Sequence, residues 1–481
     1  MSTTSDSVPT TFQIGGRTVS TASGGEMDHL NPATGKITAS FPLAGRTELD
    51  EAVSVARGAL REWARTPGEQ RAAILRAIAV ELRKDKTEFN RLTTIEAGIP
   101  TAFAGFLTDG SAGWFDYYAG WADRLNGEQI PLPGMLDYTV YEPFGVVALV
   151  LTWNSPIGSI GMKAAAALGA GCAVILKPPE LAPFTSIKFA SICERAGLPR
   201  GVLTVLPGTG ELGESVVSHP GVDKVSFTGG PETARHVQAA AAKSLTPLLL
   251  ELGGKSANLV FADSDIDRAI IATATGIVML SGQVCVAPSR LLVERSIHDQ
   301  VVSGIVERLK GIPIGDPADP ATLMGPVISA AAVSRVAQHV QSAAERGDGQ
   351  HAYGGNRIEG DGYYIEPAVF TDVDNSSPLA QQELFGPVLA VTPFDADDEA
   401  VAIANDTAFG LAAYVHTSNL ARAHQLASRL DAGSISVNGP LPASSPAAPF
   451  GGFKQSGYGK EGGLQGILEF CRIKNVCIGL T

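Results

Sequence analysis

Apolar residues near the start of the chain recur at the three- and four-residue spacing that is typical of amphipathic helices. Two such helices are predicted, over residues 47–65 and 68–97, and the aromatic segment WFDYYAGWADRL that follows is expected to be helical as well. Thr47 and Asp50 have the spacing of a capping box at the start of the first helix, with Asp in place of the usual Glu or Gln.

Between residues 127 and 141 the helical pattern gives way to two proline-bearing extended pieces around a turn at residues 133–134, which predicts a projecting β-hairpin. The last segment, IKNVCIGL, alternates weakly between apolar and polar positions and is expected to pair with this hairpin. Because both pieces lie outside the rest of the pattern, we interpret them as an assembly element. We therefore expect a homodimer or a dimer of dimers, that is, a homotetramer.

Elsewhere, short apolar strands alternate with helical segments. Strands are predicted near residues 145–151, 172–177, 202–206, 223–227 and 247–251, and a second alternating block runs from residue 258 to about residue 437. Alternation at this spacing predicts an α/β fold with a parallel, doubly wound sheet. The stretch 145–176 carries a single charge, Lys163, but prolines, polar residues and glycines interrupt it, so we interpret it as strand, loop, helix and strand rather than a membrane span.

Composition excludes several classes of protein. The chain has 481 residues, 44% apolar and 18% charged, and 36 Lys and Arg against 49 Asp and Glu give a net charge of −13. We expect a soluble protein that binds neither nucleic acid nor membranes. The polar first residues do not resemble a secretory signal. Five cysteines without a C-x-x-C pair argue against disulfides and zinc, so we expect no metal and a cytoplasmic location.

Two glycine-rich turns follow predicted strands. Gly208, Gly210 and Gly213 spell G-x-G-x-x-G, but the acid about 20 residues later, Glu232, does not stand at a strand end, so the motif alone is a weak sign of a dinucleotide site. The turn at Gly229-Gly230, before Pro231, is either structural or a phosphate-facing helix N-terminus.

Two carboxylates, a lysine and a cysteine are candidates for chemistry. Lys177 and Glu180 follow a strand at the sheet edge where ligands bind, unless they belong to an ordinary solvated loop. Glu251 ends an apolar strand; burial there would raise the pKa of its carboxyl toward that of a general base, whereas an exposed strand end would not. Cys285 lies in a loop, where functional residues concentrate, although most free cysteines are small buried residues.

Six strings occur in register along the chain: NPATG, TWN, LELGGK, GQVC, ELFGPV and PFGGFKQSG. Together they resemble the aldehyde dehydrogenase superfamily, from about residue 12 to residue 480. The resemblance implies a Rossmann-type cofactor-binding domain (residues 1–123 and 144–251), a second α/β, catalytic domain (252–460) and a small β oligomerisation arm (124–143 and 461–481). It also implies oxidation of an aldehyde to a carboxylic acid with NAD or NADP.

The resemblance assigns roles position by position. Cys285 matches the catalytic nucleophile, Glu251 the general base and Asn154 the side-chain donor of an oxyanion hole. Lys163 and Glu461 match a buried pair that serves proton relay or structure. The positions that match cofactor contacts are Trp153, Lys177, Glu180, Gly210, Thr228, Gly229, Gly230, Thr233, Leu252, Glu383 and Phe385. The positions that match the substrate pocket are Ser155, Met162, Val284, Val286 and Phe450.

The chain departs from the commonest family pattern near the substrate. TWNSP stands where many relatives read PWNFP, so Ser155 replaces a bulky aromatic residue, and the identity of the aldehyde stays open. We expect NAD rather than NADP, because Glu180 would repel a 2′-phosphate, although Lys177 would attract one. A CoA-acylating relative would generally lack the base matched by Glu251. A catalytically silent protein of the same fold is the remaining alternative, although every matched catalytic position is filled.

Overall fold

The computed structural model describes residues 7–439 and 445–480. Its helices are α1 Arg46–Trp63, α2 Gly68–Lys84, α3 Lys86–Ala97, α4 Thr101–Ala119, α5 Pro156–Ala170, α6 Phe184–Arg195, α7 Gly210–Val217, α8 Pro231–Ala242, α9 Ile266–Val278, α10 His298–Lys310, α11 Ala330–Arg346, α12 Pro378–Gln381, α13 Asp397–Asn405, α14 Leu420–Arg429 and α15 Gly463–Leu468. Two short 3-10 helices cover Met279–Gly282 and Arg295–Ile297.

The strands fall into two large sheets and several small ones. They are β1 Phe12–Ile14, β2 Arg17–Val19, β3 Glu26–Leu30, β4 Ile37–Pro42, β5 Gln129–Leu132, β6 Met135–Pro143, β7 Val146–Val150, β8 Ala173–Lys177, β9 Leu203–Val205, β10 Lys224–Thr228, β11 Leu248–Glu251, β12 Ala257–Val260, β13 Arg290–Glu294, β14 Gln350–Gly354, β15 Ala368–Thr371, β16 Val388–Phe394, β17 Phe409–Gly410, β18 Ala412–His416, β19 Ser434–Val437, β20 Phe453–Lys454, β21 Gly457–Tyr458 and β22 Cys471–Gly479.

The first large sheet has the order β21-β11-β10-β7-β8-β9, and all its strands are parallel except β21 at the edge. Helices cover both faces, which explains why the strands read as continuous apolar runs. Within β7, Val147 and Leu149 pack toward α2, α4 and α5, whereas Val146 and Ala148 pack toward α1 and α7. The predicted parallel, doubly wound sheet is confirmed, and so is the prediction of strand, loop, helix and strand over residues 145–176.

The second large sheet has the order β14-β15-β16-β13-β12-β18-β19 and is parallel apart from β14. It contains the strands predicted in the second alternating block. One short strand links the two halves of the molecule: β21 lies far along the chain but pairs with β11 of the first sheet. A side chain at Gly457 would overlap the Leu250 carbonyl oxygen, so glycine permits this close pairing.

Two predictions about the N-terminal helices are wrong. The first helix is capped by Glu48, whose Oε2 accepts from the Gly45 backbone N–H at 2.9 Å, and not by Thr47 and Asp50. The helix expected over 68–97 is two helices that meet at Asp85. The Asp85 carboxylate accepts from Lys188 at 3.2 Å and from Arg195 at 2.8 Å, so contacts with α6 favour the break.

The predicted hairpin and its pairing with the end of the chain are confirmed. Strands β5 and β6 form the hairpin, and β22 runs antiparallel to β6 over nine residue pairs, from Cys471 opposite Pro143 to Gly479 opposite Met135. We call these three strands the arm. Over the described part of the chain, none of the helices combines the length and the apolar character that a membrane crossing needs.

Candidate active site

Glu251 occupies the carboxyl end of β11, opposite Thr228 of β10. The three leucines before it anchor the strand in the core, and they carry the carboxyl group to a position only 4% exposed. Neither carboxylate oxygen has a hydrogen-bond partner among the described residues. Burial, and then the nearby charge of Glu461, raise the pKa of Glu251 well above its ordinary value. The alternative of an exposed strand-end glutamate is therefore wrong.

The loop that carries Cys285 begins with three consecutive residues in the left-handed region, Leu280 (φ 48°), Ser281 (φ 57°) and Gly282 (φ 73°). Such backbone is costly unless surrounding contacts fix it. Gln283 supplies two of those contacts: its Oε1 accepts from the Ile328 N–H at 2.9 Å, and its Nε2 donates to the Leu280 carbonyl at 3.0 Å. The buried glutamine thus sets the path of the chain just before the cysteine.

Asn154 follows β7 and reaches across to this loop. Its Nδ2 donates to the Gln283 carbonyl at 2.9 Å, and its Oδ1 accepts from the Thr152 hydroxyl at 2.7 Å. The Gln283 carbonyl fixes which way the amide faces, because a carbonyl oxygen only accepts and must therefore meet the amide nitrogen. The amide nitrogen is therefore directed at the cysteine loop, and its second N–H makes no hydrogen bond to any residue that the structure describes.

The surroundings of Cys285 disfavour its thiolate, which is the reactive form of the side chain. Burial raises its pKa to about 12, and the carboxyl groups of Glu383 and Glu251 add to the effect. Glu383 is held at 3.0 Å by the Gly254 backbone N–H, and burial raises its pKa to about 7. Near neutral pH the cysteine is a thiol, and Glu383 is poised between its charged and neutral forms.

On the other side of the cysteine, Tyr414 of β18 donates its hydroxyl to the Val286 carbonyl at 2.6 Å. Val286, Tyr414 and Phe450 form a small buried apolar cluster, against which Val284 and Cys285 pack. The structure therefore gathers three of the predicted pocket residues around the cysteine. The other two belong to the α5 region: Ser155 directly precedes the helix, and the half-buried Met162 lies one residue from its middle.

Lys163 and Glu461 form a buried ion pair, with Nζ and Oε1 2.5 Å apart and side-chain exposures of 1% and 5%. Lys163 also donates to the Ser226 hydroxyl on β10 at 2.8 Å. The backbones of Glu461 and Phe450 exchange hydrogen bonds in an isolated antiparallel bridge. The ion pair thus connects α5, the first sheet and the segment that contains Phe450, a predicted pocket residue.

The predicted cofactor positions lie along the carboxyl edge of the first sheet and on the segment opposite. Lys177 ends β8 and pairs with Glu180 at 3.1 Å. Thr228, Gly229 and Gly230 follow β10, and Gly210 opens α7. Thr233 is exposed in the first turn of α8, and Leu252 is buried after β11. Trp153 meets Phe385 edge-on with ring centroids 5.3 Å apart.

This edge suits a dinucleotide. Gly230 is the residue before the first turn of α8, and it has no side chain to cover the helix N-terminus. A Cβ atom added at this glycine would meet nothing within 4 Å, so the N-terminus is open to an anion. Lys177 and Glu180 offer a donor and an acceptor to ribose hydroxyls. Glu232 lies in the first turn of α8 and not at a strand end, so it does not complete the G-x-G-x-x-G signature.

The family model described as "Aldehyde dehydrogenase family" matches residues 19–476. The chain belongs to the aldehyde dehydrogenase family. Aminoaldehyde dehydrogenase 1 of Pisum sativum, named as peroxisomal, is 40% identical over 461 residues, which are 93% of this chain and 91% of that protein.

Solved structures agree with this assignment. A betaine aldehyde dehydrogenase of Staphylococcus aureus, determined with NAD⁺, is 34% identical and has a TM-score of 0.95 over 98% of this chain and 96% of that one. A putative aldehyde dehydrogenase of Burkholderia cenocepacia is 35% identical with a TM-score of 0.96 over 98% of both chains. The predicted family, fold class and enzyme class, an aldehyde dehydrogenase, are thus confirmed.

Two residues that contact the backbone of the cysteine loop or its surroundings were assigned no role in the sequence analysis. Gln283 stands inside GQVC, and Tyr414 stands in a strand, but no local spacing distinguishes either residue. Their roles come from partners far along the chain, Ile328 for the glutamine and Val286 for the tyrosine. Part of the loop LPASSPAAP, residues 441–444, is expected from the sequence to face the substrate and lies outside the described residues.

Proposed function

We propose that this aldehyde dehydrogenase oxidises its aldehyde to the carboxylic acid with NAD, through a thioester on Cys285 that is hydrolysed by water activated at Glu251. The observation that carries the proposal is the state of Glu251, a buried carboxyl without a hydrogen-bond partner among the described residues. Its raised pKa suits a base that must accept a proton from water near neutral pH.

The residues divide the reaction into two steps. In the first, Cys285 gives up its proton to the Glu251 carboxylate, directly or through water, its sulfur bonds to the aldehyde carbon, and the carbonyl oxygen becomes an oxyanion. The free N–H of Asn154 and the backbone N–H of Cys285 would stabilise that oxyanion, a kind of contact worth about 10²–10³-fold in rate. Bound NAD would supply the acceptor for the hydride of the same carbon, and Lys177, Glu180 and Glu383 are among the residues that would hold it. The product of this step is a thioester.

In the second step, Glu251 removes a proton from water as the water oxygen bonds to the thioester carbon. The carbon–sulfur bond then breaks, the acid leaves and the sulfur regains a proton. The charges of Lys163 and Glu461 act on the Glu251 carboxyl, and we propose that this buried pair passes its proton onward. Splitting the oxidation in this way replaces one high barrier with two lower ones.

A panel of aldehydes tests this proposal. Short aliphatic, long aliphatic, aromatic and amino-substituted aldehydes should be incubated with NAD, and NADH should be recorded for the wild type, Cys285→Ala and Glu251→Gln. Turnover with at least one aldehyde, lost in both variants, is expected. Because Ser155, Val284 and Val286 are small, bulky aldehydes should be accepted. Full activity of Cys285→Ala would overturn the proposal.

The cofactor preference rests on the ion pair at the end of β8. Glu180 neutralises Lys177 at 3.1 Å, so the positive charge that would attract a 2′-phosphate is already paired. We therefore propose NAD over NADP, in line with the NAD⁺ bound by the staphylococcal relative. The ratio of kcat/KM for the two cofactors measures this preference, and a ratio that favours NADP would contradict it.

For the assembly we propose a homodimer or homotetramer built through the arm. Its strands leave large apolar side chains exposed, between 39% and 63%, which a monomer would rarely keep together: Ile130, Leu132, Met135, Ile473 and Ile478. Light scattering at micromolar concentration should give a mass of at least two chains of 49.9 kDa. A monomer would contradict the proposal.

We also propose the domain division of the sequence analysis and a cytoplasmic location. Each predicted α/β domain contains most of one large sheet, although β21 crosses from the second domain to the first sheet. The free cysteines fit a reducing compartment. Because the pea relative is named as peroxisomal, fractionation of cells that express the tagged full chain is the deciding measurement.

A further inference from the structure

Lys460 is a charged residue beside the candidate active site to which neither the sequence nor the proposed function assigns a role. It is half-buried, and its Nζ donates to the Gly451 carbonyl at 2.6 Å. The same ammonium lies 5.1 Å from the centre of the Phe453 ring. The hydrogen bond and the ring together hold the lysine side chain against the segment that follows Phe450.

Gly451 lies next to both this lysine and Glu251. A Cβ atom added at Gly451 would lie 2.7 Å from Glu251 Oε1 and 3.0 Å from Lys460 Cδ. With a φ of 153°, the residue adopts a backbone that favours glycine. The Cα of Gly451 therefore faces the buried carboxyl and the stem of the lysine together, while its carbonyl oxygen is bound by the ammonium.

We propose that Lys460 is a positioning residue for the general base, since it fixes the Gly451 peptide against the Glu251 carboxyl and places a positive charge beside it. The proposal rests on the proposed function of Glu251. The other charged groups that act on this carboxyl are Lys163 on α5, Glu461 before α15 and Glu469 after α15. Lys163 is already bound to Glu461, and Glu469 is bound to Lys224 at 2.7 Å.

Lys460 differs from these other charged groups in its hydrogen-bond partner. Its ammonium is bound to a neutral carbonyl and has no carboxylate within ion-pair distance among the described residues. Its charge therefore acts on Glu251 without a paired anion to cancel it. Lys163, and after it Lys460, lower the pKa of Glu251, whereas burial, Glu461 and Glu469 raise it. Lys460 thus helps to set how far above its ordinary value the general base titrates.

Hydrolysis of p-nitrophenyl acetate isolates the step in which Glu251 acts. The thiol of Cys285 would attack this ester, release nitrophenol in a burst and form an acetyl thioester without any cofactor. The steady-state rate then reports hydrolysis of that thioester. Its pH profile should be measured for the wild type, Lys460→Met, Lys460→Gln and Lys460→Arg, with circular dichroism and melting temperature as checks on folding.

Loss of the charge should move the midpoint of the hydrolysis profile upward by about one pH unit, at the low end of the effect of a nearby opposite charge. Well below the midpoint, the rate should fall about tenfold, with an unchanged burst amplitude. Lys460→Gln can still donate to the Gly451 carbonyl, so an equal shift in this variant assigns the effect to the charge. Lys460→Arg should restore the midpoint.

Lys454→Met is the matched control, because this lysine lies on β20 of the same segment and donates instead to the Asn405 carbonyl at 2.7 Å. An unshifted midpoint in both Lys460→Met and Lys460→Gln, or an equal shift in Lys454→Met, would overturn the proposal. The Glu251→Gln variant distinguishes a failure of the proposed function from a failure of the role proposed for Lys460. If it hydrolyses the thioester normally, the proposed base is wrong. If it does not, while the Lys460 variants match the wild type, only the role of Lys460 is wrong.

Discussion

Replacing Glu383 by Gln should make Cys285 more reactive above neutral pH. The substitution removes one negative charge from the surroundings of the thiol, yet a glutamine oxygen can still accept the hydrogen bond from the Gly254 N–H. Glu383 is the first charged group that raises the pKa of the thiol, after burial itself. Its removal therefore favours the thiolate, which is the nucleophilic form.

The size of the effect follows from the local geometry. The Glu383 carboxylate and the Cys285 backbone both pack against the Gly253-Gly254 backbone, because Cβ atoms added at these glycines would overlap Glu383 and the Cys285 carbonyl. Like charges roughly 8–12 Å apart repel by about 1.4–2 kcal/mol at an effective dielectric constant of about 20. The lower figure is about one pKa unit, or about tenfold in thiolate at a given pH.

Alkylation by iodoacetamide between pH 6 and pH 10 measures this difference, with Glu359→Gln, an exposed carboxyl elsewhere, as the control. The sign depends on pH, because the pKa of Glu383 is about 7. Above that pH the variant should react about tenfold faster than the wild type, and below it the two rates should converge as Glu383 becomes neutral. Equal rates at pH 9, or a constant difference that persists down to pH 6, would refute the reasoning.

Three further changes probe the scaffold around the site. Lys163→Met leaves Glu461 buried without its partner and should cost about 3–5 kcal/mol in urea unfolding, partly recovered when Glu461→Gln is added; an unchanged midpoint would show that the pair carries no stability. Tyr414→Phe leaves the Val286 carbonyl unpaired and should cost about 1 kcal/mol, while it slows NADH formation more than it changes KM; a pure stability loss would contradict a role in shaping the cysteine loop. Ile473→Asp places a charge on the exposed face of the arm and should yield monomers by light scattering, whereas an intact oligomer would place the interface elsewhere.

Sequence reasoning succeeded where the physical cause is local. The buried position of Glu251 followed from the apolar run before it, and the parallel sheet followed from the spacing of strands and helices. The pairing of β22 with the hairpin followed from two extended segments that had no other partner. In each case the structure was determined by the residue pattern within a segment, or by the lack of any other segment with which a strand could pair.

It failed where the deciding partner is distant in the chain. The helix expected over 68–97 breaks at Asp85, which is bound by Lys188 and Arg195 from a helix about one hundred residues later. Gln283 and Tyr414 are single polar residues whose importance depends on what they face in the folded protein. The resting state of Cys285, a thiol with a pKa of about 12, arises from burial and from carboxyl groups on two other segments.

The central claim is that Cys285 carries an acyl group which Glu251 helps to hydrolyse. Glu251→Gln should be mixed with NAD and an accepted aldehyde, quenched in acid and analysed by intact-protein and peptide mass spectrometry. The account predicts one equivalent of NADH per active site and a stoichiometric acyl adduct on the peptide that contains Cys285, which the wild type does not accumulate. Sustained NADH formation by Glu251→Gln without an adduct, or an adduct on another residue, would contradict it.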